Sequence, residues 1–244
     1  MLSASGIIKD YSQRVLHGID LEVAAGEFVV IMGPSGSGKT TLLHMLSGMD
    51  RPTAGTVTLG GRELTGLGEK ELADVRLRHI GFVFQEPHLL QSLDLRDNIV
   101  LPGLLADERP RSEIVARADK LMTDIGIASI ADHLPGQDSG GQLQRAGICR
   151  ALINGASVVF GDEPTGALNQ AMSQQILDVL SRLNDAGTTL ILVTHDPQVA
   201  ARASRLVMLV DGRLTDDLKL GAYNAREHEE RMSRVREVMA SRGI

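Results

Sequence analysis

The segment Gly33-Pro34-Ser35-Gly36-Ser37-Gly38-Lys39-Thr40 constrains this chain more than any other stretch. It has the spacing G-x-x-x-x-G-K-[ST], and its surroundings give that spacing meaning. The apolar run Phe28-Val29-Val30-Ile31-Met32 before it reads as a strand buried on both faces. Behind it, Thr41-Leu42-Leu43-His44-Met45-Leu46 reads as a helix closed by Gly48. Strand, glycine-rich loop and helix together make a phosphate cradle. The glycines let backbone N–H groups turn toward phosphate oxygens, and the helix N-terminus adds the positive end of its dipole. Lys39 is placed to reach the β- and γ-phosphates, and the Thr40 hydroxyl to hold Mg²⁺. The bland reading is a glycine-rich turn with no ligand, and the presence of both flanking elements argues against it. The pattern implies a nucleoside triphosphate site.

Composition narrows the partners. With 244 residues, 43% of them hydrophobic, the chain can bury one large core with a subdomain attached. Lys and Arg number 25 against 31 Asp and Glu, so the net charge of −6 offers no basic field for nucleic acid. Two Tyr, four Phe and no Trp leave few platforms for stacking bases. The single cysteine, Cys149, excludes an internal disulfide and fits a reducing compartment. Its apolar helical context makes it a small buried hydrophobe. No apolar run approaches the ~20 residues of a membrane span. The opening Met1-Leu2-Ser3-Ala4-Ser5-Gly6 lacks the regions of a signal peptide. These features predict a cytoplasmic chain whose link to a membrane comes through a partner.

In chain order, Ile7-Ile8 and Val15-Leu16 read as strands about a turn at Tyr11-Ser12-Gln13, and Ile19 to Val23 alternates as a half-exposed strand. Thr56 to Leu59 with Gly60-Gly61 predicts a strand and tight turn, Glu69 to Arg78 a helix, and Ile80 to Phe84 a strand ending on Gln85. From Glu86 to about Asn154 the character is helical. Asp94 caps a first segment that Pro102-Gly103 interrupts, and Ser112 caps a second, with Ile114, Ala118, Leu121 and Ile125 on one face. Ser139-Gly140-Gly141-Gln142 opens a further helix, with Ser139 as N-cap, and supplies a second anion-binding helix start.

Val158-Val159-Phe160 then leads to Gly161-Asp162-Glu163-Pro164. Two acids at the end of a buried strand are costly unless paired or bound to a cation. Asp162 suits a Mg²⁺ shell and Glu163 suits the base that deprotonates an attacking water. Gln170 to Leu183 reads as a helix. The strand Thr188 to Val193 delivers Thr194-His195-Asp196 to the end of the sheet where ligands of α/β folds gather.

Taken together, these motifs resemble an ABC-transporter ATPase subunit over nearly the whole chain. The phosphate loop, Gln85, the Ser139–Gln142 signature, the acids Asp162 and Glu163 and the switch His195 stand in that family's order. The resemblance implies an α/β P-loop NTPase fold with a mostly parallel sheet, an N-terminal antiparallel β-subdomain and an inserted helical subdomain at about 86–154. The nucleotide-binding domain would span 1–222, with a C-terminal helical extension at 223–244. It also implies ATP and Mg²⁺ as cofactors. Tyr11 would stack on adenine, Gly33 through Thr41 would hold the phosphates, and Thr40, Gln85 and Asp162 would serve the metal. Glu163 would be the catalytic base and His195 would touch the γ-phosphate. Ser139, Gly140, Gly141 and Gln142 would cap the nucleotide of a second copy in a homodimer that sandwiches two ATP molecules.

Two positions depart from the pattern: Asp138 stands where the signature usually begins with Leu, and Asn169 ends the loop after Glu163 where Asp is usual. Ile80 to Gln85 and Asn98 to Pro102 resemble the lipoprotein-release, cell-division and macrolide-efflux branch. Ile148 to Asn154 and Phe160 to Asn169 are most similar to bacitracin-type peptide-resistance ATPases. That subtype implies a transmembrane permease partner and a sensor kinase nearby. The tail carries Met232, Val235, Val238 and Met239 at helical spacing, which suits a helix packed on its own domain or docked on a partner. A non-transport ABC protein, an ATP-sensing module without turnover and a small-molecule P-loop kinase are the competing classes. The first lacks its usual second cassette here, the second would omit Lys39 or Glu163, and the third has no need of the signature.

Overall fold

The computed structural model describes residues 1–243. The strands are β1 (Leu2–Asp10), β2 (Arg14–Val23), β3 (Phe28–Met32), β4 (Ala54–Leu59), β5 (Arg62–Glu63), β6 (Ile80–Val83), β7 (Val158–Asp162), β8 (Thr189–Val193), β9 (Arg205–Val210) and β10 (Arg213–Lys219). The α-helices are α1 (Lys39–Leu46), α2 (Glu69–His79), α3 (Leu95–Ala106), α4 (Arg111–Ile125), α5 (Gly140–Leu152), α6 (Gln170–Asp185), α7 (Pro197–Arg202) and α8 (His228–Ser241). The chain divides into two compact units, 1–72 with 183–244, and 73–182.

In the first unit, β1 and β2 form an antiparallel hairpin around the turn at Tyr11-Ser12-Gln13, and β1 also pairs antiparallel with β4. The two short strands expected before Val23 are one continuous strand, β2, whose alternating burial matches a sheet with one wet face. In the second sheet of this unit β3 lies between β8 and β9, parallel to both. Strands β3 and β8 are buried at every residue, as central parallel strands covered on both faces must be. Helix α1 ends at Ser47 with Gly48 next, and Gly48 takes φ +66°, the left-handed conformation that closes helices.

In the second unit β6 and β7 pair in parallel, and α5 packs against β6, α3 and α4. Two sequence expectations change here. Helix α3 continues through Pro102 to Ala106. The proline costs one main-chain hydrogen bond, and the helix accepts that because Ile99, Val100, Gly103 and Ala106 are buried along one face. Helix α4 starts at Arg111 after Pro110, which places Ser112 inside the first turn. Its buried stripe is Ile114, Ala118, Met122 and Ile125, with Met122 in the place expected for Leu121. Cys149 is buried in α5 as expected, and burial pushes its thiol up to about 12.

Candidate functional site

The first unit carries the phosphate loop. A side chain at Gly33 would place Cβ 1.9 Å from the Leu209 carbonyl oxygen, so the exit from β3 admits only glycine. Gly38 precedes α1 at φ +98°, a left-handed conformation glycine adopts at little cost, and no side chain caps the helix it opens. The first turn of a helix has no internal acceptors for its N–H groups, which makes that end a place for anions. The Lys39 ammonium lies over the loop and donates to the carbonyls of Gly33 (2.8 Å) and Pro34 (2.9 Å). Ser35 and Gly36 form an exposed rim and Ser37 a buried floor. The floor is pinned by hydrogen bonds from the Ser37 N–H to the Pro34 carbonyl and from the Gly212 N–H to the Ser37 carbonyl.

Tyr11, in the turn between β1 and β2, is 57% exposed, and its hydroxyl donates to Asp50 (2.8 Å). The Lys9 ammonium sits 4.8 Å from the ring centre and also pairs with Asp50. Partial burial and the Asp50 carboxylate raise the phenol's pKa, opposed by a hydrogen bond with Thr41. The exposed ring is thus tied through Asp50 to the segment just after α1. On the neighbouring strand, Ile31 pairs with Val193, and the Thr194 N–H donates to the Ile31 carbonyl (3.2 Å). Strands β3 and β8 therefore release Gly33 and His195 at the same end of the sheet, with His195 exposed.

The second unit gathers Gln85, Asp162, Glu163 and the signature. Val83 pairs with Gly161 in the parallel β6–β7 ladder, so Gln85 and the two acids leave one end together. Glu163 has φ +47°, a left-handed conformation that costs a non-glycine residue about 1–2 kcal/mol. Such strain concentrates at functional positions. The Gly166 N–H donates to the Glu163 carbonyl (2.9 Å), and a Cβ on Gly166 would lie 3.1 Å from the Gln85 amide nitrogen and 3.3 Å from the Glu163 Cβ.

Gln144, on α5 and 1% exposed, was not singled out by motif reading. Its amide donates to the carbonyls of Phe84 (2.8 Å) and Pro164 (2.9 Å), which stand immediately before Gln85 and after Glu163. A polar residue on the apolar face of the signature helix was the available signal. Arg150, on the same helix, donates to the carbonyls of Pro87 and His88 and so fixes the loop after Gln85. Burial depresses its pKa.

At the start of α5, the Ser139 N–H and hydroxyl both donate to the Gln142 side-chain oxygen (2.9 and 2.7 Å). The Ser139 side chain therefore turns back onto Gln142, and the two residues face each other in a capping-box arrangement at the helix start. Asp138 does not face solvent: its side chain is 3% exposed and stands 3.1 Å from His133 Nδ1. Asn169 accepts the Met172 N–H (3.0 Å) at the start of α6, a role its amide fills without a charge.

The ABC transporter family profile matches residues 16–166. The chain belongs to this family, and it shares its fold with solved ATP-binding cassettes. It is 42% identical to the bacitracin export ATP-binding protein BceA of Halalkalibacterium halodurans, over 100% of this chain and 96% of that protein. It is 47% identical to the macrolide export ATP-binding/permease protein MacB 1/2 of Paracoccus denitrificans, covering 86% of this chain. It spans about a third (31%) of that longer protein. The dimeric structure of the ATP-binding cassette MJ0796 in a post-hydrolysis state, bound to ADP and Pi, aligns with TM-score 0.82 and 34% identity, covering 91% of this chain and 100% of that one. No helix among the described residues is long and apolar enough to cross a membrane.

Proposed function

We propose that this chain is the ATPase subunit of a peptide-resistance transporter, working as a homodimer on the inner face of the membrane through a permease. The observation that carries this reading is the 42% identity with BceA along the whole chain. The exposed Leu90 (49%) and Leu105 (65%) are apolar surface available to a partner. A sensor kinase in the same system belongs to the proposal.

The residues take these roles. Tyr11 stacks on the adenine. The loop Gly33 to Thr41 wraps the phosphates and Lys39 balances their charge. The donors Thr40, Gln85 and Asp162 are all hard oxygen groups, which Mg²⁺ prefers. Mg²⁺ usually keeps several waters and binds substrate phosphates, which would fill its remaining positions. The metal would neutralise charge on the transferring phosphoryl group. Glu163, its carboxylate carried on a strained backbone beside Gln85, takes the proton of the attacking water. His195 holds the γ-phosphate, and the start of α5 at Ser139 to Gln142 covers the nucleotide of the partner copy.

Sedimentation of Glu163→Gln with MgATP tests the assembly. A dimer that forms only with nucleotide, and is lost when Gly141→Asp is added, is expected. A monomer at all ATP concentrations would remove the sandwich. Affinity purification of the tagged chain from membranes is expected to bring down a permease, and a resident macrolide exporter in its place would favour the MacB-like reading, which the 47% identity motivates.

A further inference from the structure

Helix α7 begins two residues after His195 and is only six residues long. So short a helix has little stability of its own and depends on what holds it. Its start is fixed from both sides. Asp196 accepts the Gln198 N–H (2.8 Å), and the Asp196 N–H donates to the Thr194 hydroxyl (3.0 Å). The Gln198 side-chain oxygen lies 2.9 Å from His228 Nε2, at the head of α8. With an oxygen facing it, Nε2 is the nitrogen that donates, and Nδ1 lies 3.3 Å from the Tyr223 hydroxyl.

The far end of α7 is held from α8 as well. Arg231 is 2% exposed and donates to the carbonyls of Ala201 and Ala203 at the end of α7, and to those of Leu220, Gly221 and Ala222. Helix geometry leaves the last carbonyls of α7 without internal donors, and a cation there also meets the negative end of the dipole. The Tyr223 ring lies 5.0 Å from the Arg202 guanidinium and 5.5 Å from that of Arg231, closing the bracket. Covering apolar surface would need only Met232 and Val235, which are buried on the same helix face. Burying a guanidinium is costly, so five directed carbonyl contacts point to a requirement for position.

We propose that α8 is a positioning device for the catalytic loop Thr194-His195-Asp196: His228 fixes the start of α7 through Gln198 and Arg231 fixes its end. Displacing α8 then slows turnover while nucleotide binding is unchanged. The inference rests on the role given to His195 above.

The test uses the full chain with MgATP for steady-state turnover and MgADP for binding. His228→Ala is expected to lower kcat about tenfold, less than the ~100-fold that a 1 Å misplacement of a reacting group can cost. KM and the MgADP Kd should stay within about twofold. His228→Gln, which keeps a donor toward Gln198, is expected to restore kcat. In a His195→Ala background, His228→Ala should add little further loss, because residues that act through one another are not additive. Wild-type kcat in His228→Ala, a weakened MgADP Kd, or the same tenfold loss in the His195→Ala background would each overturn the proposal. Wild-type turnover in His195→Ala alone would instead remove the role of His195, and this inference with it.

Discussion

Replacing Gln144 with Leu removes the two donors that tie the residue before Gln85 to the residue after Glu163. Leucine nearly preserves the buried volume, so the main loss is polar. The buried Pro164 carbonyl and the part-buried Phe84 carbonyl each lose a partner, at about 1–3 kcal/mol for the buried one and less for the other. Gln144 is 1% exposed, so water has no direct route to replace it. Recovered apolar burial of the leucine offsets part of this, leaving a net destabilisation of about 2–4 kcal/mol. For a chain of 244 residues this corresponds to a fall in Tm of roughly 5–15 °C. Thermal unfolding followed by circular dichroism reads the shift, and phosphate release at saturating MgATP reads the functional part. Turnover should fall below 25 °C, where the variant is still folded, because the loops bearing Gln85 and Glu163 lose their common tether. A Tm within 2 °C of wild type together with unchanged turnover would refute the assignment of Gln144 as that tether.

Three further outcomes follow from single features. Gly33→Ala sets a methyl against the Leu209 carbonyl, and should cost about 3 kcal/mol in denaturant unfolding and weaken ATP binding; tolerance of alanine with native affinity would contradict the described close approach. Because Glu163 sits at φ +47°, Glu163→Gly should be more stable than Glu163→Ala by about 1 kcal/mol in paired denaturation curves, although both lack the carboxylate; the reverse order would argue against the left-handed backbone. Cys149, buried with its thiol pushed up to about 12, should resist iodoacetamide at pH 8 in the folded chain and take one equivalent after unfolding; fast native labelling would show that α5 opens there.

The fold class was legible because its strongest signals are local. An apolar five-residue run, a glycine-rich loop and a helix stand in sequence at 28–46, and β3 and α1 occupy that stretch. Buried parallel strands announce themselves by unbroken apolar residues, as at 189–193. Local punctuation yields where packing or a stronger neighbouring signal overrides it. Pro102 reads as a stop, but the buried face of α3 keeps the helix going. Ser112 reads as an N-cap, but α4 already begins at Arg111, with Pro110 in the N-cap place.

The same division runs through the site. Motif residues could be named from spacing, whereas Gln144, Arg150 and Arg231 hold loops through backbone carbonyls far away in sequence, 60 residues apart for Gln144 and Phe84. Carbonyl acceptors leave no trace in side-chain identity. The left-handed backbone at Glu163 was equally hidden, since nothing in Gly161-Asp162-Glu163-Pro164 demands a positive φ. Asp138, in contrast, could be recognised as anomalous from sequence, and its placement against His133 shows which of its possible neighbours it meets.

Under the proposed function, Glu163 acts in hydrolysis and not in holding nucleotide. Single-turnover phosphate release from wild type and Glu163→Gln, each preloaded with MgATP to the same occupancy, tests it most directly. Equal ATP binding and a rate at least about 100-fold lower in the variant are expected, the loss that removing a general base brings. Release at the wild-type rate from fully occupied Glu163→Gln would contradict it.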